Sequence, residues 1–119
     1  MAHVKDIKGT TPTFTIAFYD ASGAVINPST AYDKIEVLLY NVASDTLIVK
    51  FSTETPGEGD DWEEITPTAT EVDVIFPEEI TLAAESGDNR IEVWTETALG
   101  VIDCSTAIFN EFIDAKNAI

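Results

Sequence analysis

The chain has 119 residues, 45% of them hydrophobic, and its 22 acidic and 6 basic residues give a net charge of −16. This length predicts one domain with one hydrophobic core, and the charge argues against nucleic acid or an anionic membrane as a partner, because such binding depends on Lys and Arg. The single cysteine excludes an intrachain disulfide, and the sequence shows neither a signal-peptide pattern nor an apolar run near the ~20 residues of a membrane-spanning helix.

Seven short runs alternate apolar and polar residues with the two-residue period of a β-strand, and turn residues separate them. In chain order the predicted strands are A (13–19), B (24–27), C (34–41), D (46–52), E (70–76), F (89–97) and G (101–109). The side chains predicted to face inward are Phe14, Ile16 and Phe18 of A and Ile102, Cys104, Thr106 and Ile108 of G. In the other strands, the residues that alternate with the rest of their strand are Ile35, Val37 and Leu39 of C, Leu47, Val49 and Phe51 of D, Val72, Val74 and Phe76 of E, and Ile91, Val93 and Thr95 of F. This pattern predicts an all-β fold, a single immunoglobulin-like antiparallel β-sandwich with C, F and G in one sheet.

The segments outside the strands are predicted from turn and helix signals. Residues 1–11 form a flexible N-terminal arm, residues 12–109 the sandwich, and residues 110–119 a short C-terminal tail, which is either helical or an extension of strand G. In the arm, Val4 and Ile7 are suited to a sheet edge. Residues 77–84 favour one or two helical turns, because a proline and acidic residues begin them.

An acidic loop is predicted over residues 53–64, where Pro and Gly disfavour regular structure. Between Phe51 and Thr97 the chain has fourteen acidic residues and one basic residue, which serve either solubility or a basic or metallic partner. Clustered carboxylates suit calcium, but the spacing here lacks the D-x-[DN]-x-[DN]-G pattern. We therefore expect no cofactor, and the candidate calcium ligands are Glu58, Asp60, Asp61, Glu63 and Glu64.

Catalytic constellations are not apparent in the sequence. The one histidine, His3, lies in the predicted arm, and Cys104 is predicted to face the core, where a thiol is inert. Adjacent acidic residues in a glycine-containing loop are more simply solvated than catalytic. No zinc-ligand cluster, phosphate-binding glycine loop or basic aromatic patch is evident, so we expect a protein that is not an enzyme.

An apolar patch is predicted on the outer surface of the sheet that holds C, F and G. Leu38, Tyr40 and Trp94 lie there among acidic residues, and an apolar patch with a polar rim is typical of a contact surface. One alternative is that the inward and outward faces of one strand are the reverse of those predicted. The other is that the tail covers the patch. Phe112 and Ile113 in the tail either seal the core or dock on a neighbouring protein.

The order of several segments resembles a known family. Thr-Phe-Thr-Ile-Ala-Phe at 13–18 precedes Asp-Ala-Ser-Gly-Ala-Val-Ile at 20–26, and Lys-Ile-Glu-Val-Leu-Leu-Tyr follows at 34–40. Near the end, Ile-Thr-Leu-Ala-Ala-Glu-Ser-Gly leads into Asn-Arg-Ile-Glu-Val-Trp at 89–94. Over residues 10–109 this order resembles the immunoglobulin-like modules of tailed-bacteriophage virion proteins, particularly the N-terminal domain of baseplate upper proteins.

The resemblance implies a non-catalytic structural subunit of a virion, in the tail or baseplate or, next, on the capsid surface. Such a subunit would fold in the host cytoplasm and then contact copies of itself, as a homo-oligomer, and other virion proteins through its edge strands and termini. The alternative is a secreted carbohydrate- or adhesion-type binding module, with or without calcium, that uses Trp62, Trp94 and Tyr40. A hydrolase that depends on Asp60 or Glu63 is not expected.

Overall fold

The computed structural model describes residues 4–84 and 87–113, with side chains for residues 6–84 and 87–105. The strands are β1 (Val4–Ile7), β2 (Thr13–Ile16), β3 (Lys34–Asn41), β4 (Thr46–Ser52), β5 (Glu63–Glu64), β6 (Val72–Ile75), β7 (Asp88–Glu96) and β8 (Ile102–Ile113), and the helices are α1 (Pro28–Ala31) and α2 (Glu78–Leu82). A six-stranded sheet has the order β1-β8-β7-β3-β4-β5, and β2 and β6 form a second sheet. Because the two sheets enclose one core, the predicted all-β sandwich is confirmed.

The core lies between the small sheet and the β7, β3 and β4 strands of the large sheet. Alternation turns every second side chain of a strand inward, and the residues at most 1% exposed include Ile35, Val37, Leu39, Phe51, Val72, Val74 and Phe76. Phe51 of β4 and Phe76, which follows β6, meet edge to face with ring centroids 5.8 Å apart. This aromatic pair joins the two sheets.

The order of the central strands follows the prediction. β3, β7 and β8 correspond to strands C, F and G and are neighbours in one sheet, as in the immunoglobulin fold. β4, the predicted strand D, pairs with the other edge of β3, so the small sheet keeps only two strands. Strand B is reduced to one bridge between Tyr19 and Val25, because α1 begins at Pro28 soon after the turn.

A β-bulge in β4 changes which of its residues reach the core. Leu39 lies opposite Val49, but the next residue, Tyr40, lies opposite Leu47, so Ile48 is extra. Ile48 packs against the core, whereas Leu47 is 46% exposed. The predicted alternation of Leu47, Val49 and Phe51 against Ile48 and Lys50 is therefore interrupted at Ile48, since a strict two-residue period does not anticipate a bulge.

One carboxylate holds the turn that follows β2. Asp20 Oδ1 accepts hydrogen bonds from Ser22 Oγ at 2.6 Å and from the N–H groups of Ser22 and Ala24 at 2.9 and 3.0 Å. These bonds, led by the Ser22 hydroxyl, hold the pKa of Asp20 below its ordinary value. The stabilisation is therefore present above the unfolded-state pKa and is lost as the pH falls through the lower native pKa.

Both ends of the described chain lie in the large sheet. β1 runs parallel to the last part of β8, with Ile7 opposite Ile113. Part of the predicted arm is thus an edge strand, and the start of the predicted tail extends strand G, one of its two alternatives. The predictions for residues 1–3 and 114–119 lie outside the described residues.

One threonine ties the linker between β1 and β2 to α2. Thr81 is 0% exposed, and its Oγ1 accepts a hydrogen bond from the Gly9 N–H at 3.0 Å and donates one to the Thr10 carbonyl at 2.7 Å. Gly9 has a φ of 82°, which disfavours other residues. The short helix predicted at 77–84 therefore holds the linker in place.

The acidic loop contains more regular structure than predicted. Its last two residues, Glu63 and Glu64, form β5, which pairs in parallel with the end of β4. Trp62 Nε1 donates a hydrogen bond of 2.9 Å to the Glu54 carbonyl across the loop. Backbone pairing and one indole therefore fix a segment that the composition predicts to be irregular.

Candidate functional site

The predicted contact residues Leu38, Tyr40 and Trp94 lie on one side of the large sheet, which we call the outer face. In the pairing of β3 with β7, Tyr40 lies opposite Arg90 and Trp94 lies opposite Glu36. Leu38 and Tyr40 are half-buried, and Trp94 is 38% exposed. The structure therefore brings the three residues to a common surface.

The outer face also carries three of the protein's six basic residues, Lys34, Lys50 and Arg90. Lys50 Nζ lies 3.0 Å from the Glu36 carboxylate, and Lys34 Nζ lies 3.0 Å from Glu54 and 3.7 Å from Glu36. The hydrogen bond to Glu54, followed by the charge of Glu36, holds the pKa of Lys34 above its ordinary value. These bases are paired within the face and do not form a basic patch.

Arg90 covers one of the predicted contact residues. Its Nη2 lies 3.1 Å from Asp45 and its Nε lies 3.1 Å from Glu92, and the guanidinium stands 4.7 Å from the centroid of the Tyr40 ring. The bond to Asp45 is the main cause that raises the pKa of Arg90, with support from Glu92. Tyr40 therefore presents less of its ring to a partner than the sequence suggests.

The two tryptophan rings differ in their contacts with neighbouring side chains. Lys50 Nζ stands 4.6 Å from the centroid of the half-buried Trp62 ring, a cation–π contact. Trp94 donates its Nε1–H to Glu92 Oε1 at 3.1 Å. Of the aromatic residues on and beside this face, Trp94 keeps the most accessible apolar surface.

The orientation of β8 differs from the prediction. The structure pairs Ile102, Cys104, Thr106 and Ile108, all predicted inward, with Glu96, Trp94, Glu92 and Arg90 of the outer face. The turn sets this register, because Thr97 N–H donates to the Val101 carbonyl at 3.0 Å and so places Glu96 opposite the first residue of β8. Cys104 is consequently exposed and not buried as expected.

The hairpin of β7 and β8 is the most apolar part of the described surface. It holds four of the ten exposed large hydrophobic residues there: Trp94, Leu99, Val101 and Ile102. Leu99 is 93% exposed in the turn. Trp94 and Ile102 line a surface cavity of about 190 Å³ together with Lys34, Glu36, Thr95 and Glu96. The sequence predicted Trp94 but not Ile102 on this surface, because Ile102 was assigned to the inner face of β8.

The small sheet leaves the start of β8, from Ile102 to Ser105, exposed. Four consecutive β8 residues, from Ile102 to Ser105, are exposed, although neighbouring residues of a strand point to opposite faces. A surface cavity of about 310 Å³ lies beside the start of β8, and its lining includes Phe18, Tyr32, Val93, Thr95, Asp103 and Ser105. β8 is thus accessible on both faces from Ile102 to Ser105.

The five candidate calcium ligands, Glu58, Asp60, Asp61, Glu63 and Glu64, are all exposed in the acidic loop. Asp60 accepts a hydrogen bond of 2.8 Å from the Gly57 N–H, and Glu64 accepts one of 3.2 Å from the Thr55 hydroxyl. Within the described residues, no three His, Cys, Asp or Glu side chains are grouped so as to hold a metal ion. The expectation of no cofactor, with these five residues as the candidate calcium ligands, stays a prediction from the sequence.

The remaining predicted contact residues lie near the end of β8. The backbones of Phe112 and Ile113 pair with Asp6 and Ile7 of β1. Their side chains lie outside the described part of the chain, so the choice between sealing the core and docking on a neighbour stays open.

No helix in residues 4–84 and 87–113 has the length and apolar character needed to cross a membrane.

The chain matches no protein-family model and no curated protein.

Proposed function

We propose that this protein is a structural subunit of a tailed-bacteriophage virion, at the tail or baseplate or on the capsid surface. It acts through contacts with copies of itself and with other virion proteins and catalyses no reaction. The resemblance of residues 10–109 to immunoglobulin-like virion modules supports this proposal, as does the sandwich fold itself. The observation that carries it is β8, which is exposed on both faces from Ile102 to Ser105.

A strand that is exposed on both faces is unusual for a protein that functions as a monomer. Sheets in soluble proteins normally bury at least one face against a second layer, and contiguous exposed apolar surface marks a protein interface. Here the exposed strand continues from a turn whose Leu99 is 93% exposed and whose Val101 is 55% exposed. The uncovered strand and the apolar turn together form one surface suited to another protein.

The alternative, a carbohydrate- or adhesion-type module, is less well supported. Sugar stacking needs open aromatic faces, yet Lys50 stands over Trp62 and Arg90 stands over Tyr40. Only Trp94 among the three proposed sugar-binding aromatic residues has no such cation–π contact among the described residues. A sugar-binding surface would therefore need rearranged ion pairs, whereas a protein contact at β8 would not.

A ligand-dependent melting experiment tests this choice. We expect the melting temperature to stay unchanged when calcium or any glycan of a panel is added. Addition of a chelator is the control. A calcium module with a Kd near 10 µM would instead gain about 2.7 kcal/mol of stability at 1 mM calcium, because ligand binding to the native state stabilises it. A clear rise with calcium or a glycan would contradict the proposed function in favour of the binding module.

A further inference from the structure

Three aromatic rings on and beside the outer face lie near carboxylates, and a cation covers two of them. The Arg90 guanidinium stands 4.7 Å from the centroid of the Tyr40 ring. Its Nη2 lies 3.1 Å from Asp45, and its Nε lies 3.1 Å from Glu92. An aromatic ring attracts a flat guanidinium, and carboxylates fix the direction of its N–H groups. The face thus contains one complete arginine site, which the chain's own Arg90 fills.

Trp62 repeats this arrangement with a lysine. Lys50 Nζ stands 4.6 Å from the centroid of the Trp62 ring and 3.0 Å from the Glu36 carboxylate. Ring, cation and carboxylate therefore occur together twice in this part of the sheet. The recurrence indicates that an aromatic ring beside a carboxylate is a favourable place for a cation on this surface.

Trp94 has the same acidic surroundings, but none of the described residues places a cation over its ring. Glu36 lies opposite Trp94 in the pairing of β3 with β7, and Glu96 lies on the same face two residues further along β7. The indole donates its Nε1–H to Glu92, and Trp94 is still 38% exposed. The third ring is therefore bordered by carboxylates and open to a cation from outside the chain.

The cavity of about 190 Å³ beside Trp94 combines an apolar wall with an available carboxylate. Ile102, which is 59% exposed, lines it together with Trp94, so the methylene stem of a long side chain can contact both. The Glu96 carboxylate makes neither a hydrogen bond nor an ion pair with the part of the chain that the structure describes. Lys34, the basic residue of the lining, has its Nζ 3.0 Å from Glu54.

We propose that this cavity binds an arginine side chain of another protein. The guanidinium lies on the Trp94 ring and pairs with Glu96, and the methylene stem lies against Ile102. The chain has a single arginine, Arg90, which covers Tyr40, so a second copy could supply an arginine only by breaking its own ion pairs. This inference rests on the proposed function, because it names the chemistry by which a neighbouring virion protein is bound.

Charge favours a basic partner at this place. The three bases of the outer face are outnumbered by the acidic residues around them, which are Glu36, Asp45, Glu54, Glu92 and Glu96. The chain as a whole carries a net charge of −16, which attracts a basic protein before contact. Arginine suits the cavity better than lysine, because its flat guanidinium stacks on an aromatic ring and donates two N–H groups to one carboxylate.

Titration of the full chain with N-acetylarginine amide, followed by NMR, tests the proposal. We expect the largest signal shifts at the Trp94 indole N–H and the Glu96 amide, with little change at the Trp62 indole N–H. N-acetylcitrulline amide has the same shape without the charge. We expect it to bind at least about threefold more weakly, because it loses both the cation–π contact and the ion pair.

Three variants locate the site. We expect Trp94→Leu to weaken binding of the arginine derivative by about threefold or more and Glu96→Gln by about twofold or more. Glu78→Gln makes the same charge change as Glu96→Gln at an exposed position of α2, and we expect at most about a 1.5-fold effect. Circular dichroism checks that all three variants are folded.

The outcomes separate this proposal from the proposed function. Absence of binding, equal affinity for the two derivatives, or equal losses in Glu96→Gln and Glu78→Gln would overturn the arginine site alone. The proposed function would stand in each case, because the melting experiment with calcium and glycans tests it independently. A glycan that shifts the Trp94 signals and raises the melting temperature would overturn both.

Discussion

Replacing Phe76 with alanine is expected to lower the free energy of unfolding by about 3–5 kcal/mol, the range typical of a buried Phe→Ala change. Phe76 is 0% exposed and meets Phe51, which is 1% exposed, with ring centroids 5.8 Å apart. Because this contact joins the small sheet to the large one, the lost ring leaves a cavity at the centre of the sandwich. Chemical denaturation measures the change, and the melting temperature should fall by roughly 10–20 °C.

A double-mutant cycle with Phe51→Ala shows whether the two rings interact as described. We expect a coupling of about 0.5–1.5 kcal/mol, the range found for aromatic pairs. Leu99→Ala is the control, because Leu99 is 93% exposed and its loss should change the free energy of unfolding by at most about 0.5 kcal/mol. A cost at Phe76 no larger than at Leu99 would contradict the packing of the two sheets.

Thr81→Val is expected to cost about 2 kcal/mol of stability and to loosen β1. Valine keeps the shape of threonine but removes the hydroxyl that bonds to Gly9 N–H at 3.0 Å and to the Thr10 carbonyl at 2.7 Å. Two linker groups would then lose these part-buried hydrogen bonds, each of which contributes about 0.5–1.5 kcal/mol. Amide exchange should accelerate in residues 4–10 more than in β3.

The matched control is Thr81→Ser, which retains the hydroxyl and removes only a methyl group. We expect it to preserve slow exchange in β1 and to lose about 1 kcal/mol or less, as for one buried methylene. If Thr81→Val and Thr81→Ser accelerated exchange in β1 equally, the hydrogen bonds of Thr81 would not be what holds the linker.

The central strands were predictable because burial and turn chemistry agree there. β3 and β4 have the predicted bounds, since Ile35, Val37 and Leu39 alternate along the buried face of β3 and the Ser44–Asp45 turn separates the two strands. Asp45 adopts a φ of 52°, a conformation that Asp tolerates better than most residues. Where one face of a strand must be apolar to enter the core and a turn fixes the end of the strand, the sequence pattern determines the strand's bounds and orientation.

Elements defined by backbone pairing were not predictable in the same way. β5 consists of two glutamates whose side chains are exposed, so no apolar alternation announces it. The bulge that turns Leu47 outward is likewise a matter of register, which side-chain type does not encode. The reduction of strand B to a single bridge follows from the nearness of α1.

The candidate surface was predicted on the β3 and β7 strands but not on β8. Leu38, Tyr40 and Trp94 share one face, as the alternation indicates. The orientation of β8 was predicted incorrectly because both of its faces are exposed from Ile102 to Ser105, so burial does not distinguish one face from the other. The turn at 97–101 instead sets the register of β8 against β7. The cation–π contacts of Arg90 with Tyr40 and of Lys50 with Trp62 join residues distant in sequence and have no local signature.

The most direct test of a self-associating structural subunit is the mass of the purified wild-type protein in solution. Light scattering should measure it over a range of concentrations, with and without calcium. We predict a defined dimer or larger assembly, with a mass that rises with concentration and does not change with calcium. A protein that stays monomeric at all concentrations, with a melting temperature that climbs when calcium is added, would contradict this account.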